Sequence, residues 1–334
     1  MKQILLATTA LVMTAGVAAA EITFSGSAEM GVVGGGDNAT ERGGHTGGNT
    51  EFHNDFMLKV AATGETDTGL SFGVSVEIQK DEGNSNGNFA ADNEAFFISG
   101  AYGTLTMGEI DGAMDWAMTE NVGNPGSIAD DETEHAGYFG AFGDGAYDNQ
   151  IARYDYSFGD FGVAISAELD DTDTVSNGYA IGLKYAADLG GIGMGFGLGY
   201  QSLETDGFWN LGNLEDFTGT VIPAGEDIDM LGASITADFN NGFVAGLAYT
   251  DIDFEGDADA DHIGVSAGYT TGAFEIGANY GVFDFEGGEA KGWGIAAAYD
   301  LGGGLKVHGG YGDSDIDGLD GDYETYSVGV SMAF

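Results

Sequence analysis

From Glu21 onward, apolar or small residues recur at every second position. Ile22, Phe24, Ala28 and Met30 alternate with Thr23, Ser25, Ser27 and Glu29. Leu70, Phe72, Val74, Val76 and Ile78 repeat the pattern, as do Phe161, Val163, Ile165, Ala167 and Leu169, and Phe274, Ile276, Ala278, Tyr280 and Val282. Strict alternation sets one face of each segment against something apolar and the other against something polar. Sixteen such segments begin near Ile22, Glu51, Leu70, Glu94, Leu105, Ile151, Phe161, Tyr179, Ile192, Ile228, Phe243, His262, Phe274, Gly292, Leu305 and Tyr323. Many have roughly the nine to eleven residues with which a tilted strand crosses a bilayer. The fourth and fifth are shorter.

The connections alternate as well. Seven are short and carry turn residues, such as Gly159-Asp160, Asn240-Asn241-Gly242, Thr271-Gly272 and Gly302-Gly303-Gly304. Eight are long: 34–49, 81–92, 111–149, 170–176, 203–227, 253–261, 284–291 and 312–322. Both prolines, Pro125 and Pro223, fall in these long loops, where they break no ladder. The rhythm predicts an up-and-down meander with one flat end and one elaborate end.

A soluble sandwich also alternates, so the two faces must be weighed. One face is apolar in nearly every segment, including both ends of the chain. The other is small and polar and holds His53, Asp55, Lys59, Glu77, Arg153, Asp155, Glu168, Lys184, Asp229, His262, Glu275, Lys306 and His308. A dry core would need a partner for each of these groups, whereas a water-filled lumen would not. Aromatic residues gather beside the short turns: Tyr102, Phe158, Phe161, Tyr185, Phe239, Phe243, Tyr269, Phe274 and Tyr299. That is where an interfacial girdle sits. Unpaired backbone groups in hydrocarbon cost several kcal/mol each, so a membrane sheet must close on itself. Sixteen strands leave an aqueous channel.

The chain starts with a short positive stretch, Met1-Lys2, an apolar run from Ile4 to Val17, and Ala18-Ala19-Ala20. This reads as a cleaved signal peptide over 1–20, with a single barrel domain over 21–334. The 55 acids against 8 bases, a net charge of −47, argue against a nucleic-acid partner. The absence of Cys removes disulfide frameworks, Cys-zinc sites and thiol catalysis.

The signal-like start, the opening Glu21-Ile-Thr-Phe-Ser-Gly, the sixteen-segment rhythm and the closing Tyr326-Ser-Val-Gly-Val-Ser-Met-Ala-Phe334 together resemble general porins of Gram-negative outer membranes, the alphaproteobacterial, Rhodobacter-type group above all. The resemblance implies a transmembrane antiparallel β-barrel of about 16 strands, usually a homotrimer. Such a barrel passes small hydrophilic solutes and ions by diffusion and has its long third loop folded into the pore. It also implies an assembly signal at Phe334 and Tyr326, and lipid and lipopolysaccharide as surroundings. No cofactor and no catalytic residue are expected.

The third long loop, 111–149, spans 39 residues, a length that is normally functional. It carries Asp111, Asp115, Glu120, Asp130, Asp131, Glu132, Glu134, Asp144 and Asp148 with no base. Its stretch Gly112–Glu120 could form a helical turn or two, with Met114 and Trp116 packed on the wall. By analogy the acids would line the constriction; otherwise they would serve only solubility outside. In the resembled family, bases on the opposite wall face such acids. The candidates here are Lys59, Arg153 and Lys184, with Arg42 and Lys80 near the rim, a thin set. The stretch Thr50–Lys59 carries His53 and Asp55 where Rhodobacter-type members tend to have arginines. A net negative constriction and a weak cation preference are therefore expected.

The outer loops offer hard oxygen ligands of the kind Ca²⁺ takes, at Asp257, Asp259 and Asp261, and at Asp313, Asp315 and Asp317. Their spacing matches no EF-hand. A solvated acidic surface, or diffuse divalent bridging to lipopolysaccharide, is the alternative. Gly264-Val-Ser-Ala-Gly268 mimics a nucleophile motif around Ser266 but lies within a strand. Gly on alternate positions over 191–199 reads as a lumen wall without bulk. The rivals to a diffusion channel are a substrate-specific barrel, which would need an aromatic track along the lumen, and a secreted acidic β-protein.

Overall fold

The computed structural model describes residues 21–37, 49–80, 89–128, 132–140, 142–144, 150–170, 175–205, 224–255 and 259–334. Its strands are β1 (Glu21–Gly35), β2 (Glu51–Glu65), β3 (Ser71–Lys80), β4 (Phe89–Gly100), β5 (Gly103–Gly108), β6 (Ile151–Phe158), β7 (Phe161–Glu168), β8 (Gly178–Asp188), β9 (Gly193–Glu204), β10 (Asp227–Asp238), β11 (Phe243–Phe254), β12 (Asp259–Thr271), β13 (Phe274–Phe285), β14 (Gly288–Gly302), β15 (Leu305–Ile316) and β16 (Thr325–Ala333). Each pairs antiparallel with its sequence neighbours, and β1 pairs with β16 to close the barrel. The last residue completes the seam: Phe334 donates its N–H to the Gly26 carbonyl at 2.9 Å, and Gly26 donates back at 3.3 Å.

The outer face is an apolar surface that none of the described residues covers. Ile98, Ile165 and Val328 are each more than half exposed. This suits strands wetted by hydrocarbon. At the short-turn end, Tyr156, Phe158, Phe161, Tyr185 and Phe196 form a run of stacked rings with centroids 4.4–6.2 Å apart.

Three strands start earlier than alternation alone suggests: β4 at Phe89, β12 at Asp259 and β14 at Gly288. The extra residues, Asp259 and Asp261 or Glu289 and Lys291, look like loop but keep the outward parity of Ile263 and Trp293. The outer face turns polar there because the strands have left the hydrocarbon. Asp229, expected inside, shares the outward face with Leu231 and accepts a hydrogen bond from Tyr200 at 2.7 Å. Tyr249 and Tyr311 likewise donate to Asp261 and Glu324. At the same level the inner face is apolar, with Ile228, Met230, Ile252, Ala260, Phe283 and Ile316 buried. Polarity thus inverts at the long-loop end of β10–β15, because the third long loop covers the inside.

Candidate functional site

The third long loop, residues 109–150, starts with a short helix, α1 (Ala113–Ala117), that packs on β7, β8 and β9. Met114 and Ala113 are fully buried there. The wall is shaped for it. A Cβ on Gly182 would overlap the Ala113 carbonyl, and one on Gly197 the Ala117 carbonyl. Farther along, Gly268 and Gly277 receive Gly123, Gly31 and Gly329 receive Ile128, and Gly294 receives Glu132. The inward glycines, read from sequence as a bare lumen wall, are therefore the bed of the loop.

Inward serines anchor the loop's backbone. Ser166 accepts the N–H of Ala113 (2.8 Å), Ser234 that of Thr119 (3.1 Å), Ser266 that of Val122 (2.8 Å) and Ser314 that of Ala136 (3.0 Å). The strands β7, β10, β12 and β15 thus each supply one tether. A returning arm lies on the apolar bed: Phe139 and Phe142 are buried, with Phe139 5.3 Å from Phe283. The arm closes on the start of the loop, where Asp144 accepts the Gly112 N–H at 2.5 Å.

The expected constriction acids are divided among different environments. Asp111 is exposed, whereas Asp115, Glu120 and Glu134 are half-buried. Tyr138 donates to Glu120 at 3.3 Å. Glu132 does not face the pore: it is fully buried against Gly294, Gly310 and Gly312 and bonded to Ser127. Its backbone carbonyl sits so close to the wall that its side chain stays beneath the loop. Asp130 and Asp131 lie outside the described residues, as do Arg42 and the 1–20 segment. Burial beside Asp144, Asp111 and Glu120 pushes the Asp115 carboxyl up to about 9, despite Arg153. Burial raises Asp144 to about 7 against the pull of the Gly112 N–H. Burial also raises Glu120. Asp144 is one of the loop acids legible in the sequence, but its place opposite Gly112 appears only once the two arms meet; Asp148 lies outside the described residues.

The wall bases are engaged. Lys59 binds Glu77 at 2.8 Å. Arg153 donates to the Asp111 carbonyl and lies 3.7 Å from Asp155. Lys184 rests 3.4 Å from the Trp116 ring centroid, a cation–π contact. Lys306 binds Glu275 at 3.1 Å. Beneath the loop, on the short-turn side, lies a cavity of about 820 Å³ bordered by Val122, Met194, Thr236 and Asp238.

Among the described residues no group of three or more His, Asp or Glu is placed to hold a metal ion. Asp259, Asp261, Asp313 and Asp315 stand on the outer faces of β12 and β15, with Asp261 taken by Tyr249 and Asp315 3.5 Å from Lys291. Asp317 accepts the Glu289 N–H, and Asp257 lies outside the described residues. Tyr326 faces outward and shares a hydrogen bond with Thr50 at the seam.

A closed sixteen-strand barrel with a loop laid on its inner wall has known counterparts. A porin of Rhodobacter capsulatus is 26% identical over 307 residues, which is 90% of this chain and 96% of that one. A porin structure refined at 1.8 Å resolution superimposes with a TM-score of 0.66 at 22% identity, covering 94% of this chain and 100% of the other. A Rhodopseudomonas blastica porin variant does so with a TM-score of 0.66 at 21% identity and the same coverage. These structural likenesses carry the fold. Residues 7–319 match the Gram-negative porin family, and the chain belongs to that family of outer-membrane channels.

Proposed function

We propose that the protein forms a water-filled channel for passive diffusion of small hydrophilic solutes and ions, with a weak preference for cations set by its third long loop. The observation that carries this reading is the pairing of charge inside the barrel. Every described inward lysine or arginine (Lys59, Arg153, Lys184 and Lys306) is held by a carboxylate, a loop carbonyl or a ring. The loop acids Asp111, Glu120 and Glu134 add further negative charge on the loop. A lumen of net negative potential concentrates cations. At physiological salt the Debye length is about 8 Å, so the preference is modest and fades as salt rises.

The same reading takes residues 1–20 as a removed signal peptide, from the positive start Met1-Lys2, the apolar run Ile4–Val17 and the small residues Ala18-Ala19-Ala20. It takes the working form as a homotrimer. Support lies in the aromatic exterior at the long-loop end of β2 and β4, where Phe52, Phe56 and Phe89 are exposed at the level at which β10–β15 carry acids. Those outward acids face lipopolysaccharide, with divalent cations bridging diffusely. No catalytic role is proposed: Ser266 lies in the middle of β12 and its hydroxyl anchors Val122.

Swelling of proteoliposomes tests this. The account expects small sugars and amino acids to enter, and lysine to enter faster than glutamate at low salt. Equal rates, or faster glutamate, would overturn the cation preference. No swelling with any solute would overturn the diffusion channel.

A further inference from the structure

The cavity of about 820 Å³ on the short-turn side lies between the underside of the third loop and the wall of β8–β12. We propose that it is a binding site for organic cations that carry an apolar body, of the quaternary ammonium kind. They enter from the short-turn end and lodge over Gly193.

The roof of the cavity is fixed. Val122 and Gly123 form it, with the Val122 N–H tethered to Ser266 at 2.8 Å and Gly123 seated on Gly268 and Gly277. The floor uses inward positions without bulk: Ala186 on β8 and Gly193 and Gly195 on β9, with Val244 on β11 behind them. The inward glycines of β9 therefore serve two ends. Gly197 and Gly199 receive Ala117 and Met114 of the loop, so a Cβ there would overlap it. A Cβ on Gly193 would meet nothing nearer than Cβ of Asp238 at 3.8 Å, so this glycine leaves open space. The volume is that of a small-molecule site, which is typically an apolar hollow with a few placed polar groups.

The charged groups that border the hollow are of one sign. Asp188 on β8 and Asp238 on β10 both stand in register with Gly193, one from each side, so their backbones are about 10 Å apart across β9. Both have the inward parity of Lys184 and Ser234. Asp160, in the turn between β6 and β7, is the third. Turn hydrogen bonds fix the first two at the mouth: Asp188 accepts the Gly191 N–H at 2.9 Å, and Asp238 accepts the Asn240 N–H at 2.7 Å. All three residues are exposed. Among the described residues no base borders this cavity. Lys184 borders the adjoining niche of about 380 Å³ under α1, where it lies on the Trp116 ring.

The recess is thus polarised, positive under α1 and negative at the short turns. Clefts lined by one sign of charge concentrate the opposite ion. A hydrated metal ion gains little more than that, because exposed acids are screened by salt. An organic cation gains a second contribution. Its charge stands between Asp188 and Asp238 while its apolar body covers Ala186, Gly195 and Val244 and leaves water. An anion with the same body is repelled at the mouth. The site therefore slows amphipathic cations and lets small ions pass.

The inference rests on the channel reading, and separate observations test each. In planar bilayers at pH 7 and low salt the purified wild type should conduct without additives; absence of current would overturn the channel reading. The site is then read by titration calorimetry of the detergent-solubilised protein with benzyltributylammonium, where G193F should bind at least tenfold more weakly than the wild type. In the conducting protein, benzyltributylammonium should interrupt the current at a concentration at least tenfold lower than tetramethylammonium, which has the charge without the apolar body. It should do so at least tenfold more effectively from one side of the bilayer than from the other. 4-Butylbenzoate should not block. G193F fills the recess without a clash and should weaken the block at least tenfold relative to its own open current. D188N/D238N keeps the oxygens that accept the turn N–H groups and removes both charges, and should weaken the block severalfold at low salt. Equal potency of the two cations, equal potency from the two sides, or a G193F channel blocked or bound like the wild type would overturn the site. If G193F fails to assemble, A186F fills the same recess from β8 and decides in the same way.

Discussion

Ser266, in the middle of β12, accepts the backbone N–H of Val122 at 2.8 Å across 144 residues of chain. With Ser166, Ser234 and Ser314 it makes the barrel wall a set of hydrogen-bond acceptors for a loop whose described residues form no strand. Removing one hydroxyl leaves a loop N–H unsatisfied, at about 1–3 kcal/mol. S234A/S266A should therefore lower the thermal unfolding midpoint and raise open-channel current noise. Its far-ultraviolet circular dichroism should match the wild type, because no strand ladder is touched.

The glycine bed gives a sharper prediction. G268A places a methyl into the Gly123 carbonyl, and G182A places one into the Ala113 carbonyl of α1. Overpacking of this kind costs about 1–3 kcal/mol, and here the loop can yield only toward the pore. Both variants should assemble and show reduced single-channel conductance. G287A is the control, since no atom would meet its Cβ.

The raised carboxyls make selectivity depend on pH. Asp144 at about 7 and Asp115 at about 9 are largely neutral in mild acid and ionise in turn as pH rises. Cation preference should therefore grow between pH 6 and pH 10. D115N should leave selectivity at pH 7 nearly unchanged and flatten the increase above pH 8. The linkage has a definite sign. The seated loop holds the Asp115 proton more tightly than the released loop, so seating weakens as pH climbs from 3.8 toward about 9. Zero-current potentials and current noise across a pH series read both effects.

Most of the barrel could be read before any coordinates. Strand starts at Glu51, Ile151, Phe161, Phe243, Phe274 and Leu305 follow from alternation, because each strand meets lipid on one side and water on the other. The starts of β12 and β14 were hidden because Asp259, Asp261, Glu289 and Lys291 resemble loop. They remain outward, but above the hydrocarbon. Met114 was legible as a wall contact from its place beside Trp116. The bed was not, because Gly182, Gly268 and Gly294 acquire meaning only from segments distant in sequence. The individual fates of the loop acids were hidden too. Composition makes Asp115, Glu132 and Asp111 equivalent, and only burial separates a raised carboxyl, a hidden one and an exposed one.

Lys184 holds α1 by lying on the Trp116 ring and 3.4 Å from its carbonyl. K184M keeps the apolar stem but removes the charge. The lumen loses a positive charge, and α1 loses a contact worth about 0.5–2 kcal/mol. The variant should be more cation-selective than the wild type at equal pH, with noisier open states. Unchanged selectivity would mean that permeating ions do not sense this part of the wall.

The central claim is that the narrowest part of the water path carries net negative charge fixed on a wall-bound loop. The most direct measurement is the zero-current potential across a planar bilayer holding the purified protein at pH 7 under a tenfold KCl gradient. The account predicts a potential whose sign reports K⁺ crossing more readily than Cl⁻, shrinking as both solutions are raised toward 1 M. A potential of the opposite sign, favouring Cl⁻, would contradict it.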